Sequence, residues 1–412
     1  MHDYVQAIKN FKSNARNYLA FTFLTSLYIG IYNVIFNLYI IKLGYNEQFL
    51  GMIMSAAMIA TGLFAFPAAQ ICERIGIKKS LLISGALNSI TLYMLFTVTS
   101  GELLLVLSVL NGVVAAIPTI IAAPFLTENS DQSHRIHLFS FNFAIFVIAT
   151  VMGMSIGGYL PHACSTFLGI NSIGIESYRY TLFISLFVAT MSILPLAFIK
   201  DRKKTCMQKN NMGVLLKELA KSPSIRNLVI VSCLIGLGAG LIVPFFNVYF
   251  NKILLADTGE IGIIFSLAQA SMVVGAMAVP YLVNRIGKVK TVSLTYLVSI
   301  PFLLIMIVST NLYMVGAAYI LRMMFMNMSM PISNSFSMEI VKEEQMASVS
   351  SLTSMGNYVS IAVSTLIAGA MMSHGSYIVP YLGTCALYAM AAILYFKFFR
   401  HHEKDIKASA GS

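Results

Sequence analysis

Twelve apolar runs dominate this chain, and their length dictates what it can fold into. They fall at 18–41, 49–71, 80–99, 103–126, 138–160, 179–199, 227–250, 260–283, 291–309, 312–337, 347–372 and 377–397. Each is close to the roughly 20 residues that a helix needs to cross the hydrocarbon of a bilayer. In lipid every backbone N–H and C=O must be bonded within its own segment, so such runs are helical. Packing them as core helices of a soluble protein would need a polar coat that the chain lacks. Only 10% of its residues are charged and 58% are hydrophobic, whereas soluble domains carry about 25% charge. The expectation is an all-α membrane protein with twelve transmembrane helices.

Lysine and arginine set the orientation. With the N-terminus inside, 23 of the 27 basic residues fall in inner segments; Lys42, Arg179 and Lys252 fall outside, and Arg322 lies within a run. Both termini are expected in the cytoplasm of a multi-pass protein of the cell membrane. The net charge of +11 sits in these short loops and gives no reason to expect nucleic acid. The stretch 201–225 is the longest and most basic connection. It reads as a cytoplasmic linker near anionic lipid, joining a six-helix half at 1–200 to another at 226–398. A cytoplasmic tail follows at 399–412, and its last residues, Ala-Ser-Ala-Gly-Ser, read as a cloning scar. The five cysteines show no paired spacing and read as free thiols.

The halves repeat. Phe36-Asn37-Leu38-Tyr39 matches Phe246-Asn247-Val248-Tyr249 at an offset of 210. One residue later the offset becomes 211: Gly51 matches Gly262, Ser55 matches Ser266, Arg74 matches Arg285, Glu128 matches Glu339 and Gly158 matches Gly369. Six helices followed by six more in the same orientation make a parallel repeat, as in transporters whose halves are related by an axis along the membrane normal.

The most informative repeated stretch is the basic turn Glu73-Arg74-Ile75-Gly76-Ile77-Lys78-Lys79, which returns as Asn284-Arg285-Ile286-Gly287-Lys288-Val289-Lys290. Gly76 and Gly287 permit the tight reversal between helices. The basic residues anchor topology, and a gate is the second role open to them. Arg74 is expected to pair with Glu128, and Arg285 with Glu339, at the ends of the fourth and tenth runs.

Polar residues inside the runs are the candidates for a substrate cavity, because amides in hydrocarbon must be satisfied. Thr22, Ser26, Gly30, Asn33 and Asn37 share one face of the first run, and Ser232, Gly236, Gly240 and Asn247 repeat it in the seventh. The serines and glycines are assigned to helix packing. Asn33, Asn37 and Asn247 are assigned to the cavity, with the further amides Gln269 and Asn357. Arg322 is the one basic residue well inside a run, and its repeat partner is Asn111. An intramembrane charge is a functional candidate by default. Arg322 reads as an anchor for an anionic or polar group, with Ser329 on the same face; a structural arginine capping carbonyls is the alternative. The methionines of the tenth run read as gap-filling residues. The tyrosines Tyr39, Tyr45, Tyr159, Tyr178, Tyr249 and Tyr313 read as the interfacial belt of a chain without tryptophan.

All sixteen acidic residues fall in loops or at helix ends. Protons, as a coupling ion, would then act through Glu73, Glu128 or Glu339, and a cationic cargo is disfavoured.

Twelve runs, a long central loop and a second-to-third turn reading Glu-Arg-x-Gly-x-Lys-Lys resemble the major facilitator superfamily. Its signature is Gly-x-x-x-Asp/Glu-Arg-x-Gly-Arg-Lys/Arg. Glu73, Arg74, Gly76, Lys78 and Lys79 fit it, while Ala69 stands at the leading glycine. In the second copy Arg285, Gly287 and Lys290 recur, with Pro280 and Asn284 replacing the glycine and the acid. The stretch Gly153-Met154-Ser155-Ile156-Gly157-Gly158 resembles the superfamily's antiporter motif, with Met154 in place of its proline. The drug-antiporter arginine of the fourth span has no match, Ser108 standing there. The resemblance implies two six-helix bundles, a central cavity lined by the first, fourth, seventh and tenth spans, and no enzymatic activity or cofactor. The reading is a monomeric secondary transporter working by alternating access. Export of a hydrophobic or amphipathic organic molecule comes first. Uptake of a sugar or organic anion comes second, and a non-transporting membrane sensor or scaffold third.

Overall fold

The computed structural model describes residues 12–130, 135–170, 174–200, 219, 222–341 and 345–410. Every regular element among them is helical. In order these are α1 (Ser13–Lys42), α2 (Glu47–Ile75), α3 (Ile77–Thr97), α4 (Gly101–Glu128), α5 (Arg135–Leu168), α6 (Ile175–Met191), α7 (Ile193–Ala197), α8 (Pro223–Ile242), a 3-10 turn (Val243–Phe245), α9 (Phe246–Lys252), α10 (Thr258–Ile286), α11 (Lys288–Val308), α12 (Leu312–Met328), α13 (Met330–Glu339), α14 (Met346–Ser373) and α15 (Ile378–Ala410). Apart from Leu219 and the residues from Ser222 onward, the expected linker lies outside the described residues.

Eleven of the expected spans are long and apolar enough to cross a membrane as continuous stretches, which makes the chain a multi-pass membrane protein. The tenth run departs from expectation. It is divided into α12 and α13 at Ser329, with Pro331 in the first turn of α13. Proline has no N–H to give the preceding turn, and its ring clashes with the carbonyl four residues back, so the helix breaks there. Pro195 and Pro244 stand in the same way at the divisions between α6 and α7 and between α8 and α9.

By its contacts the chain forms two units. Unit 1 comprises Met1–Tyr45, Ile59–Met207 and Asp257–Ser266, and unit 2 comprises Asn46–Met58, Gln208–Ala256 and Leu267–Ser412. The units therefore do not divide at one point in the sequence. The first turns of α2 belong with the second half of the chain, and the first turns of α10 with the first half.

In unit 1, α1 packs on α5 and α6, and α3 packs on α4 and α6. Glycines set the distance between α1 and α5. A Cβ at Gly30 would lie 2.8 Å from the Gly153 Cα, and one at Gly157 would lie 2.8 Å from the Ile31 Cα. The other side of α5 meets the start of α10, where a Cβ at Gly262 would lie 2.6 Å from Met154 O. Ser266 donates to Val151 O (3.0 Å), and its hydroxyl is 2.8 Å from that of Ser155. The start of α1 is tied to the end of the half by a side-chain amide: Asn14 donates to Lys200 O and accepts from Lys200 N, both at 2.9 Å.

Unit 2 repeats this plan. Gly236 and Gly240 of α8 lie against Asn357 and Ile361 of α14, and Ser232 donates to Thr353 O. The other side of α14 meets the start of α2. A Cβ at Gly51 would lie 2.8 Å from Thr365 O, and Ser55 donates to Ala362 O at 2.7 Å. The carbonyl partners Met154 and Thr365, and Val151 and Ala362, are themselves 211 positions apart. The repeated glycines and serines of the sequence are thus the residues at which these helices touch. The serines and glycines assigned to packing are found in that role, and so are most of the methionines assigned to gaps: Met326 and Met328 are buried and Met324 lies against Gly275, whereas Met330 is exposed.

The two basic turns are also built alike. Gly76 and Gly287 adopt φ of 89° and 90°, a region open to glycine at little steric expense. Their carbonyls accept from the hydroxyls of Ser80 and Thr291, one turn into α3 and α11. Three of the tyrosines assigned to the interface, Tyr39, Tyr178 and Tyr249, are instead buried inside their units. Tyr39 and Tyr249 are buried, and their hydroxyls donate to the carbonyls of Phe96 and Met306 at the ends of α3 and α11. A carbonyl in the last turn of a helix lacks an intrahelical donor, which is why a phenol is drawn there. Tyr159 and Tyr313 are exposed, as a belt requires.

The glycine crossings yield a prediction. Gly158→Leu sets a side chain against Thr258 O, 2.5 Å from the new Cβ, and overpacking of this kind costs about 1–3 kcal/mol. Thermal unfolding in detergent should show a lower Tm for Gly158→Leu, and a similar fall for its repeat counterpart Gly369→Leu.

Candidate functional site

Among the described residues only Glu47 and Arg322 are both charged and buried, and both lie in unit 2. Arg322, on α12, is 1% exposed. Its Nη2 donates to the Tyr388 hydroxyl at 2.8 Å, and its Nη1 reaches the Met323 sulfur at 3.1 Å. The guanidinium lies over two rings, 5.4 Å from the centre of Phe246 and 5.7 Å from that of Tyr388. Phe246 in turn packs edge-on against Tyr319 and Tyr381, at 4.7 and 6.3 Å between centroids. The cation is held by aromatic faces and a phenol. Phe246 is placed there by the break at Pro244, which starts α9.

The pseudo-equivalent position in unit 1 is Asn111. Its Nδ2 approaches Asn88 Oδ1 at 3.4 Å, and Asn88 Nδ2 approaches the Tyr28 hydroxyl at 3.5 Å. Three half-buried neutral groups from α4, α3 and α1 thus form a polar chain where unit 2 has a cation.

The remaining cavity candidates are dispersed. Asn33 is exposed on α1. Asn37 and Asn247 are buried at 7% and 2% exposure, and Asn247 Oδ1 accepts from Val248 N. Ser329 is fully buried and accepts from Thr295 at 3.0 Å, which turns it toward α11. Asn357 donates to Ser232 O across the α8–α14 crossing, and Gln269 is half-buried on α10. Ser329 and Asn357 thus bond to neighbouring helices within unit 2, as a polar group inside a bundle needs a partner, while Asn37 and Asn247 are buried within their units.

The helix-end charges pair differently from expectation. Glu73, Lys78 and Glu128 are half-buried, while Arg74, Lys79 and Lys290 are exposed. Arg74 and Glu128 form no ion pair among the described residues. Arg285 lies back over the Tyr281 ring, 4.6 Å from its centre, the i,i+4 spacing of a helix face. Glu339 is paired with Lys288 at 2.6 Å and accepts from Ser335. Lys288 directly follows Gly287 and reaches Glu339 more readily than Arg285, which is turned back along α10. Ile77 stands at the position of Lys288 in the first copy, so Glu128 has no such partner.

One constellation was hidden among the helix-end acids. Glu47, the first residue of α2, is 4% exposed. It accepts from Lys252 at 2.6 Å and from the Tyr377 hydroxyl at 2.7 Å. The pair joins residues from the two sequence halves within unit 2. Its counterpart would be Lys42 with Thr258, which has no carboxylate. Pairing across 205 positions leaves no local signal in the sequence; the only available hint was that Lys42 recurs as Lys252.

Comparison with known proteins agrees with this architecture. The family model of the Major Facilitator Superfamily matches residues 18–365 and 228–412. No curated protein sequence matches the chain. Among solved structures, the nucleoside transporter NupG in a mutant form superposes with a TM-score of 0.77 at 15% identity, over 93% of this chain and 99% of that one. A bacterial homologue of the human lysosomal transporter Spinster, inward-facing and occupied, gives 0.72 at 16% identity, over 94% and 97%. The chain belongs to the major facilitator superfamily, and it is a transporter rather than an enzyme.

Proposed function

We propose that the chain is a secondary transporter that moves an amphipathic, neutral-to-anionic organic small molecule out of the cell by alternating access. The observation that carries this reading is the paired crossing of α5 with the start of α10 and of α14 with the start of α2. Each joins segments from the two sequence halves through glycines and one or two serine hydroxyl bonds. Seams with few side chains lose few specific bonds on parting, which suits helices that separate and rejoin in each cycle. The distribution of basic residues supports cytoplasmic termini and a plasma-membrane location. Halves at 1–200 and 226–398, joined by a linker at 201–225, are the moving bodies of a monomer. The apolar character of the spans and the scarcity of buried acid favour a hydrophobic body in the cargo over a cationic one.

A second reading is uptake of a polar solute. It is favoured by the neutral hydrogen-bonding chain Tyr28–Asn88–Asn111 and by the fold shared with a protein titled as a nucleoside transporter. The direction is read from accumulation of a fluorescent amphiphile in cells. Cells making the protein should retain several-fold less dye than cells without it, and greater retention would select uptake instead. In proteoliposomes, a rate that ignores an imposed pH gradient would remove protons as the coupling ion.

The Glu47–Lys252 pair should act as the clasp of this cycle, on the face that the charge count places outside. Its side chains are 5% and 38% exposed, between the fully exposed pairs worth under about 1 kcal/mol and buried pairs whose disruption costs about 3–5. A double-mutant cycle should give a coupling of about 1–2 kcal/mol. The same cycle at Lys288–Glu339, where both are 34% exposed, should give less than about 1 kcal/mol. Transport should fall in Glu47→Lys and in Lys252→Glu and return when both are present. A double reversal as inactive as the singles would remove the clasp from the mechanism.

A further inference from the structure

The surroundings of Arg322 carry a more specific assignment, which rests on the transporter reading above. We infer that Arg322, with the hydroxyls of Tyr381 and Tyr388, is the binding point for the carboxylate of an organic anion whose aromatic or aliphatic body lies against the neighbouring rings.

The argument is one of unmet bonding. A guanidinium presents five N–H donors and no acceptor. At Arg322 one donor meets a phenol and another meets a thioether, a weak acceptor. The buried Nε meets nothing. The Tyr381 hydroxyl is also buried without a partner, and both side chains flank the same ring, Phe246. Tyr388 spends its oxygen as acceptor to the arginine, so its own proton is available to another group. Unmet donors of two side chains thus lie beside one ring, and no carboxylate among the described residues forms an ion pair with the cation. Buried charges are ordinarily paired. An acceptor with negative charge is what the cluster lacks.

The fold does not demand an arginine here. Asn111 occupies the same place in the other half and meets its needs with neutral partners. Nor does the site suit a multiply charged anion. Phe246, Tyr319, Tyr381 and Tyr388 set rings around it, and one cation with two phenols matches one carboxylate. Inorganic phosphate and the phosphate of an anionic lipid share the acceptor chemistry, but not the fit of a small apolar body attached to the charge.

The test is thermal unfolding of the full chain in detergent with benzoate, decanoate, their methyl esters, inorganic phosphate or phosphatidylglycerol. Benzoate or decanoate should raise Tm by several degrees, while the esters, phosphate and the lipid should leave it unmoved. Arg322→Gln should unfold at or above the wild-type temperature without ligand, since an uncompensated charge is gone, and should lose the carboxylate shift. Tyr381→Phe should match the wild type without ligand and need about tenfold more carboxylate for half the shift, the loss of one hydrogen bond to a charged group. Five results would overturn the assignment. They are no shift with either carboxylate, equal shifts with the esters, a shift only with phosphate or phosphatidylglycerol, a lowered ligand-free Tm in Arg322→Gln, and full carboxylate affinity in Tyr381→Phe. Undiminished transport of a carboxylate-bearing amphiphile by Arg322→Gln would overturn the site and leave the transporter reading standing. Failure of the wild type to transport any solute, with the carboxylate shift intact, would do the reverse.

Discussion

The close approach of helix backbones along α5 and α14 is the constraint from which much of this structure follows. Lipid gives no hydrophobic drive to bring helices together, so their association depends on contact area and short polar bonds. Glycine provides both by exposing the backbone. Gly153 and Gly157 bring α5 against α1, and Gly158 brings it against the start of α10. On α14 the corresponding surfaces face α8 and the start of α2, with Gly369 against Gly51. One helix in each unit thus carries two seams. At each, a side chain on a facing glycine would collide with main chain, which cannot give way as a flexible side chain can.

That arrangement explains what the sequence disclosed and what it hid. The offset of 211 was visible because packing against a backbone tolerates so few residues. Gly51, Gly158, Gly262 and Gly369, with Ser55 and Ser266, are held in register by contacts that admit little else. The helical class, eleven of the spans and the glycine turns were legible for the same kind of reason, since period, length and a φ near 90° leave marks on residue type. Partners were not legible. Arg285 was matched with Glu339 by repeat logic, but the reach of Lys288 and the Tyr281 ring decided otherwise. The inward turn of Ser329 and the break before Pro331 belong to how one helix meets α11. The burial of Glu47 rests on residues 205 and 330 positions away.

The repeat also separates what the frame requires from what it carries. The seams, the turns with Ser80 and Thr291, and the phenols of Tyr39 and Tyr249 recur in both halves. A feature that both halves need is therefore present twice. Three of the charges are not. Glu47 has Thr258 as its counterpart, Lys288 has Ile77, and Arg322 has Asn111. Each pair leaves the helices in place, so none of these charges is there to build the helix that bears it.

The two buried charges can be told apart by the same test of satisfaction. Glu47 is compensated: a lysine and a phenol meet it, and the lysine remains partly in water. A carboxylate so placed stabilises one arrangement of the chain and loses its partners in any other, which is the property of a tie. Arg322 is not compensated. It is almost wholly buried, has aromatic faces and a phenol around it, and keeps an unpaired donor beside a second unpaired donor. A buried charge without an opposite partner is costly to the chain that holds it. Asn111 fills the matching position of the other half with a neutral amide bonded to Asn88, so the repeat itself does not call for a cation there. The frame is duplicated, while both buried charges among the described residues lie in unit 2.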